Sequence, residues 1–169
     1  PPEGGGEFGP GLGVTARRQV KQDPATLPAG ERDKDAAGLV EQYVQGPNRR
    51  CVVGLAENTG LPDASATVVY GEAMLSMQTP QHKQQIVREA SRLLKAGGRY
   101  GIHELCLVPD DLDENVKQVI GSELAASIHH GTRPLTIAEW KSLLEAEGFS
   151  VEAQVQAPMH LLEPRRIIQ

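Results

Sequence analysis

The sequence predicts an α/β fold, a three-layer sandwich around a mostly parallel sheet whose first strands and last strand are incomplete. Three observations carry this expectation. From Arg50 onward, short apolar runs alternate with segments of helical periodicity, the order that sets parallel strands side by side through crossover helices. Thr67-Val68-Val69-Tyr70-Gly71 is apolar on both sides, as suits a strand covered on both faces. Glycine and proline fall between these runs, where turns are required.

The first thirty residues differ from the rest. Pro1 to Gly13 is rich in glycine and proline, and Val20 to Gly30 is polar and broken by Pro24, Pro28 and Gly30. Composition makes residues 1–30 a poorly structured segment preceding a domain over 31–169. Only Val14 to Lys21 has the makings of a short helix, with almost no apolar face. Asp33 or Asp35 then caps a helix carrying Ala36, Leu39, Val40, Tyr43 and Val44, which Gly46 ends. Arg50 to Gly54 reads as a strand, Glu57 to Ser65 as a loop, and Thr67 to Gly71 as the next strand. Thr79 caps a helix with Pro80 at its first position. Ile86, Val87, Ala90, Leu93 and Leu94 recur at helical spacing, and Gly97-Gly98 stops the run. Arg99 to Leu107 is a third strand, broken by Pro109-Asp110-Asp111. A helix over Leu112 to His130 carries Leu112, Val116, Ile120, Leu124 and Ile128 every four residues, a stripe suited to core packing or to a lid. Thr136 with Glu139 forms a capping box for a helix bearing Trp140, Leu143 and Leu144. Gly148 closes that helix, Phe149 supplies the contact beyond the cap, and Ser150 to Leu162 reads as a final strand or hairpin arm.

Composition narrows the partners. A net charge of −5 argues against nucleic acid or an anionic membrane as the main partner. Aromatics at 4% leave little to stack on single-stranded bases. No apolar run reaches the length of a membrane span, and the Pro- and Gly-rich start is unlike a signal peptide, so a cytoplasmic location is expected. Cys51 and Cys106 lack a CxxC arrangement and read as reduced thiols. His129, His130 and His160 do not make a metal set, because adjacent helical side chains diverge by about 100° and no zinc-ligand spacing surrounds them.

Ligands of parallel α/β sheets bind beyond the carboxyl ends of the strands. Those ends here are Gly54 to Asn58, Gly71 to Met77 and Glu104 to Leu107. Chemically capable side chains stand there. Glu72 follows a strand and can orient a substrate or take a proton, or else offset a helix dipole. His103 and Glu104 close the next strand, and either can face the same pocket; His103 titrates near neutrality when unperturbed, or else serves as a hydrogen-bonded core residue.

The run Ala56-Glu57-Asn58-Thr59-Gly60-Leu61-Pro62-Asp63-Ala64-Ser65, the strand Val68 to Gly71 with Glu72-Ala73-Met74-Leu75, and the helix ending Lys95-Ala96-Gly97-Gly98-Arg99 form an ordered set. Together they resemble the class I S-adenosylmethionine-dependent methyltransferases, specifically small-molecule enzymes of the ubiquinone and menaquinone biosynthesis type. The resemblance implies a Rossmann-like domain, S-adenosylmethionine as cofactor and a small-molecule methyl acceptor. Glu7-Phe8-Gly9-Pro10-Gly11-Leu12-Gly13 matches the acidic-x-G-x-G-x-G cofactor loop of that family, where glycines let backbone approach ligand. It implies cofactor contacts from Gly9, Gly11, Gly13, Glu31, Ala56, Glu57 and Glu72, with Glu31 accepting from the ribose hydroxyls. Glu72 and His103 are the candidate catalytic pair. Leu55 stands where the family often has an acidic residue, and Glu57 is its candidate substitute. These departures keep a second expectation open, a truncated or non-catalytic relative acting as a binding or assembly module, in which open sheet edges favour homo-oligomers. A nicotinamide fingerprint would need glycine or alanine at position 14, which is Val14.

Overall fold

The computed structural model describes residues 12–17, 27–31, 49–128 and 131–158. Its centre is a parallel pair, β4 (Ala66–Glu72) and β5 (Leu94–Glu104), joined by the crossover helix α1 (Pro80–Leu93). β1 (Leu12–Arg17) lies antiparallel to β5, and β8 (Val151–Val155) lies antiparallel to β1, giving the order β4-β5-β1-β8. Two parallel pairs accompany this sheet: β2 (Leu27–Glu31) with β3 (Arg49–Val53), and β6 (Cys106–Leu107) with β7 (Leu135–Thr136). The helices α2 (Glu114–Ile128) and α3 (Ile137–Ala146) complete an α/β fold.

Local chemistry explains most of these boundaries. Thr79 accepts a hydrogen bond from the His82 amide, and Pro80 occupies the first turn of α1. Both halves of the capping box on α3 are formed: Thr136 accepts from the Glu139 amide, and Glu139 accepts from the Thr136 amide. Gly148 takes a φ of 85°, and the Phe149 amide donates back to Leu144 O at 3.2 Å, closing α3 as its sequence predicts.

Two expectations change. Val14 to Arg17 is strand rather than helix; its weak apolar periodicity gives a helix nothing to bury, whereas β5 and β8 supply ladder partners on both sides. Gly97 and Gly98 do not stop α1. The helix ends at Leu93, and Leu94 (φ −77°, ψ 131°) leads straight into β5. The glycines serve a bulge instead: Ala66 pairs with Leu94 and Val68 with Arg99, so residues 95–98 stand opposite Thr67 alone. On α2 the apolar stripe is mostly covered: Leu124 is buried and Ile120, Ile128 and Leu112, just ahead of the helix, are half-buried, while Val116, and Val119 beside it, are exposed. The helix expected between Asp33 and Gly46 lies outside the described residues.

α1 and α3 meet over β4 and β5. Leu75, Ile86, Val87, Ala90, Leu94, Tyr100, Ile102, Trp140, Leu144 and Phe149 form one buried cluster there. Burying each large apolar side chain contributes on the order of 1.5–3 kcal/mol. β4 alternates: Val69 packs on this cluster, whereas Val68 and Tyr70 point away and are exposed.

Candidate functional site

The site begins where β4 and β5 end together. Their register sets Glu72 opposite His103, and His103 Nδ1 lies 3.3 Å from Glu72 Oε1. Both side chains are accessible, at 38% for His103 and 63% for Glu72. Beyond Glu72 the chain turns sharply. Ala73 adopts φ 51°, a conformation costly for a residue with a Cβ, and its amide donates to His103 O at 2.8 Å.

Glu104, next to His103, faces the other way and is 3% exposed. Its Oε1 accepts from the Met74 amide (3.0 Å) and the Leu75 amide (2.7 Å). Its Oε2 accepts from the Ser76 amide (2.9 Å) and the Ser76 hydroxyl (2.7 Å). Ser76 Oγ also accepts from the Leu105 amide at 3.1 Å. One buried carboxylate thus satisfies the amides of the tight turn at Leu75–Met77, and so meets the requirement that a buried charge be fully hydrogen-bonded.

Deeper in the core, Lys83 is 1% exposed. Its ammonium donates to Arg133 O and lies 5.7 Å from the Trp140 ring centroid. Burial lowers its pKa to about 8, against a smaller opposing pull from Glu104. The Arg133 amide donates to Ser76 O at 2.7 Å, and Trp140 Nε1 donates to Leu105 O at 3.0 Å. The turn after β4 is therefore bound to the segment entering β7.

The exit of β3 is a second rim. Leu55 and Asn58 bridge, with the Asn58 amide donating to Leu55 O at 3.1 Å, so Ala56 and Glu57 form the tip of a tight turn. Ala56 packs against the core cluster. Glu89 on α1 anchors the following loop: its Oε1 accepts from the Thr59 hydroxyl (2.6 Å) and amide (2.9 Å). Arg92 donates to Glu89, to Asp63 and to Leu61 O. The Arg92 guanidinium, with help from Thr59, holds the Glu89 carboxyl down at about 2. A separate cleft of about 450 Å³, lined by Asp63, Arg88, Arg92, Leu94 and Glu147 among others, includes none of Glu57, Glu72 and His103. Its arginines are already paired with Glu147 and Asp63.

The structure brings Glu72 and His103 into contact and sets Ala56 and Glu57 on one turn. Glu31 ends β2 opposite Val53, at the same edge from which that turn departs. Gly13 lies within β1, opposite His103 on β5 and Val155 on β8, rather than in a loop. Gly9 and Gly11, and likewise His129, His130 and His160, lie outside the described residues. Cys51 and Cys106 are free thiols. Among the described residues no helix is long and apolar enough to cross a membrane, and no group of three or more His, Cys, Asp or Glu side chains is placed to hold a metal ion. Sequence reasoning offered Glu104 as a residue facing the pocket, whereas the structure buries it beneath the turn; it missed Lys83 and Glu89. Lys83 had a readable signal, since it shares the helical spacing of Ile86, Val87 and Ala90.

Residues 7–102 match the family described as methyltransferase domain. An uncharacterized protein of Haemophilus influenzae is 28% identical over 161 residues, spanning 93% of this chain and 62% of that protein. Among solved structures, a protein of Bacillus halodurans provisionally described as a methyltransferase aligns with TM-score 0.65 at 19% identity, over 75% of this chain and 54% of that one. The YcgJ protein of Bacillus subtilis aligns with TM-score 0.61 at 20% identity, over 71% of this chain and 50% of that one. PigF, solved with SAH, aligns with TM-score 0.58 at 18% identity, over 78% of this chain and 47% of that one. The chain thus spans 62% of its Haemophilus relative and about half the length of these structures.

Proposed function

This chain belongs to the methyltransferase domain family, and from that premise we propose that it takes part in methyl transfer from S-adenosylmethionine to a small-molecule acceptor of the ubiquinone or menaquinone-precursor type. The observation that carries the reading is the Glu72–His103 pair, exposed at the joint carboxyl end of two parallel strands, where α/β sheets bind ligands. The donor set fits the cofactor. S-adenosylmethionine carries a cationic sulfonium, an ammonium and a vicinal diol, and carboxylates at Glu31, Glu57 and Glu72 are acceptors for all three kinds of group. In this reading Gly9, Gly11, Gly13, Glu31, Ala56, Glu57 and Glu72 contact the cofactor.

When bound, S-adenosylmethionine supplies an electrophilic methyl group on a leaving group that departs neutral. The protein's task is then largely positioning. Glu72 and His103 orient the acceptor, and with His103 Nδ1–H donating to Glu72, His103 Nε2 receives a proton when the acceptor atom carries one. The exposed valines of α2, Val116 and Val119, offer an apolar wall for such an acceptor. The free thiols Cys51 and Cys106 accord with a cytoplasmic location. The outer edges of β4 and β8, the terminal strands of the four-stranded sheet, would support pairing with a second copy.

Isothermal calorimetry with S-adenosylhomocysteine tests the core of this. Binding in the micromolar range is the expected outcome, weakened on the order of tenfold by Glu72→Gln, as for loss of a charge-assisted hydrogen bond. A well-folded protein with no measurable heat would leave the non-catalytic binding or assembly module as the better account.

A further inference from the structure

We infer that Glu104 is a positioning residue of this site, holding the turn after β4 so that Glu72 is presented beside His103; the inference rests on the methyl-transfer reading above. Consecutive residues of a strand point to opposite faces. His103 and Glu104 divide the work accordingly. His103 stands at the rim, and Glu104 reaches beneath it to the backbone that follows its partner.

The four hydrogen bonds to Glu104 all come from Met74, Leu75 and Ser76, two to four residues beyond Glu72. Between them lies Ala73 in its left-handed conformation, tied by its amide to His103 O. A non-glycine residue keeps such a conformation only when its surroundings over-determine it. Here the over-determination is visible, because the His103 carbonyl and the Glu104 carboxylate hold the turn from two adjacent residues of β5. Without that grip Ala73 relaxes, and the direction in which Glu72 leaves β4 relaxes with it. A neutral amide cannot replace the carboxylate. In Glu104→Gln, one oxygen still serves two donors, but the NH2 group meets the Ser76 amide and hydroxyl, and the amide N–H can only donate.

The test is a double-mutant cycle on S-adenosylhomocysteine affinity, read by calorimetry after near-UV circular dichroism has verified folding. If Glu104 acts through Glu72, Glu104→Gln raises Kd about tenfold in the wild-type background and less than about twofold in a Glu72→Gln background, since non-additivity marks coupled residues. Ser76→Ala, which deletes one of the four donors, is the milder companion should Glu104→Gln fail to fold. It raises Kd about threefold, and that effect also vanishes with Glu72→Gln. Penalties that add across the two backgrounds, or Kd values unchanged by both Glu104→Gln and Ser76→Ala, overturn the inference while leaving the methyl-transfer reading intact. Absence of binding to the wild type removes that reading and this inference together.

Discussion

At Gly98 the backbone of β5 passes close against β4. A Cβ placed there would stand 3.0 Å from both Thr67 O and Lys95 O and 2.7 Å from a Leu94 methyl. Two of these are backbone atoms, which cannot rotate aside, so Gly98→Ala must move the strands apart. The expected loss is about 1–3 kcal/mol, the range for forced overpacking, measurable by urea unfolding. Lys83 leads to a different kind of prediction. Its pKa in the fold, about 8, is below the ordinary 10.5. The unfolded chain therefore binds more protons in that interval, and the stability contribution rises as pH climbs through it. Between pH 8 and 9 the wild type should gain about 1 kcal/mol relative to Lys83→Met. Burial pushes the Cys106 thiol up to about 11, which acts in the opposite sense above pH 9, but it is common to both proteins and cancels in the comparison. Equal slopes for the two would show that Lys83 stays charged in the fold. The placement of Glu72 and His103 at neighbouring strand ends was legible because each closes an apolar strand run. That Glu104, at the same strand end, turns inward was not, since nothing in sequence tells a buried carboxylate from an exposed one until the facing amides are placed.

Among the elements, α1 is the hub: it packs on β5 and also fastens the loop leaving β3 through Glu89 and Arg92. The Glu89 carboxyl sits at about 2 in the fold against an ordinary 4.5. Its contribution is complete above pH 4.5 and disappears as pH falls toward 2. Glu89→Gln should cost roughly 2 kcal/mol at pH 7, allowing for solvent screening of the half-open Arg92. In parallel denaturation series the gap to wild type should close near pH 2–3; a gap that persists there would assign the loss to packing instead. Elements governed by local chemistry could be read in advance. The Thr136–Glu139 capping box and the Thr79–Pro80 start of α1 need only neighbours in sequence. Gly97-Gly98 misled because a glycine pair ends a helix as readily as it permits a bulge, and the choice depends on Thr67, thirty residues away. β1 was invisible for the same reason: its partners at 99–104 and 151–155 are remote in sequence.

For the molecule as a whole, the proposed methyl transfer links cofactor binding to folding. A ligand bound only by the native state at about 100 times its Kd stabilises by about 2.7 kcal/mol, so S-adenosylhomocysteine should raise the thermal midpoint by several degrees. Glu72→Gln should need more ligand for the same rise. An unchanged midpoint at millimolar ligand would argue against a nucleoside site. The fold class was legible from the alternation of strand runs and helical runs, which local composition dictates. The joining of strands into one four-stranded sheet and two separate pairs was not, because pairing order depends on loop paths that no short segment encodes. One feature of the core also makes the protein its own optical probe. The chain has a single tryptophan; Trp140 is wholly enclosed, with its indole N–H on Leu105 O and the Lys83 ammonium over its ring. Its emission therefore reports on one place only, the junction of α1, α3 and the end of β5. A blue-shifted native spectrum that reddens in step with the far-UV circular dichroism would mean that this junction opens together with the rest of the core.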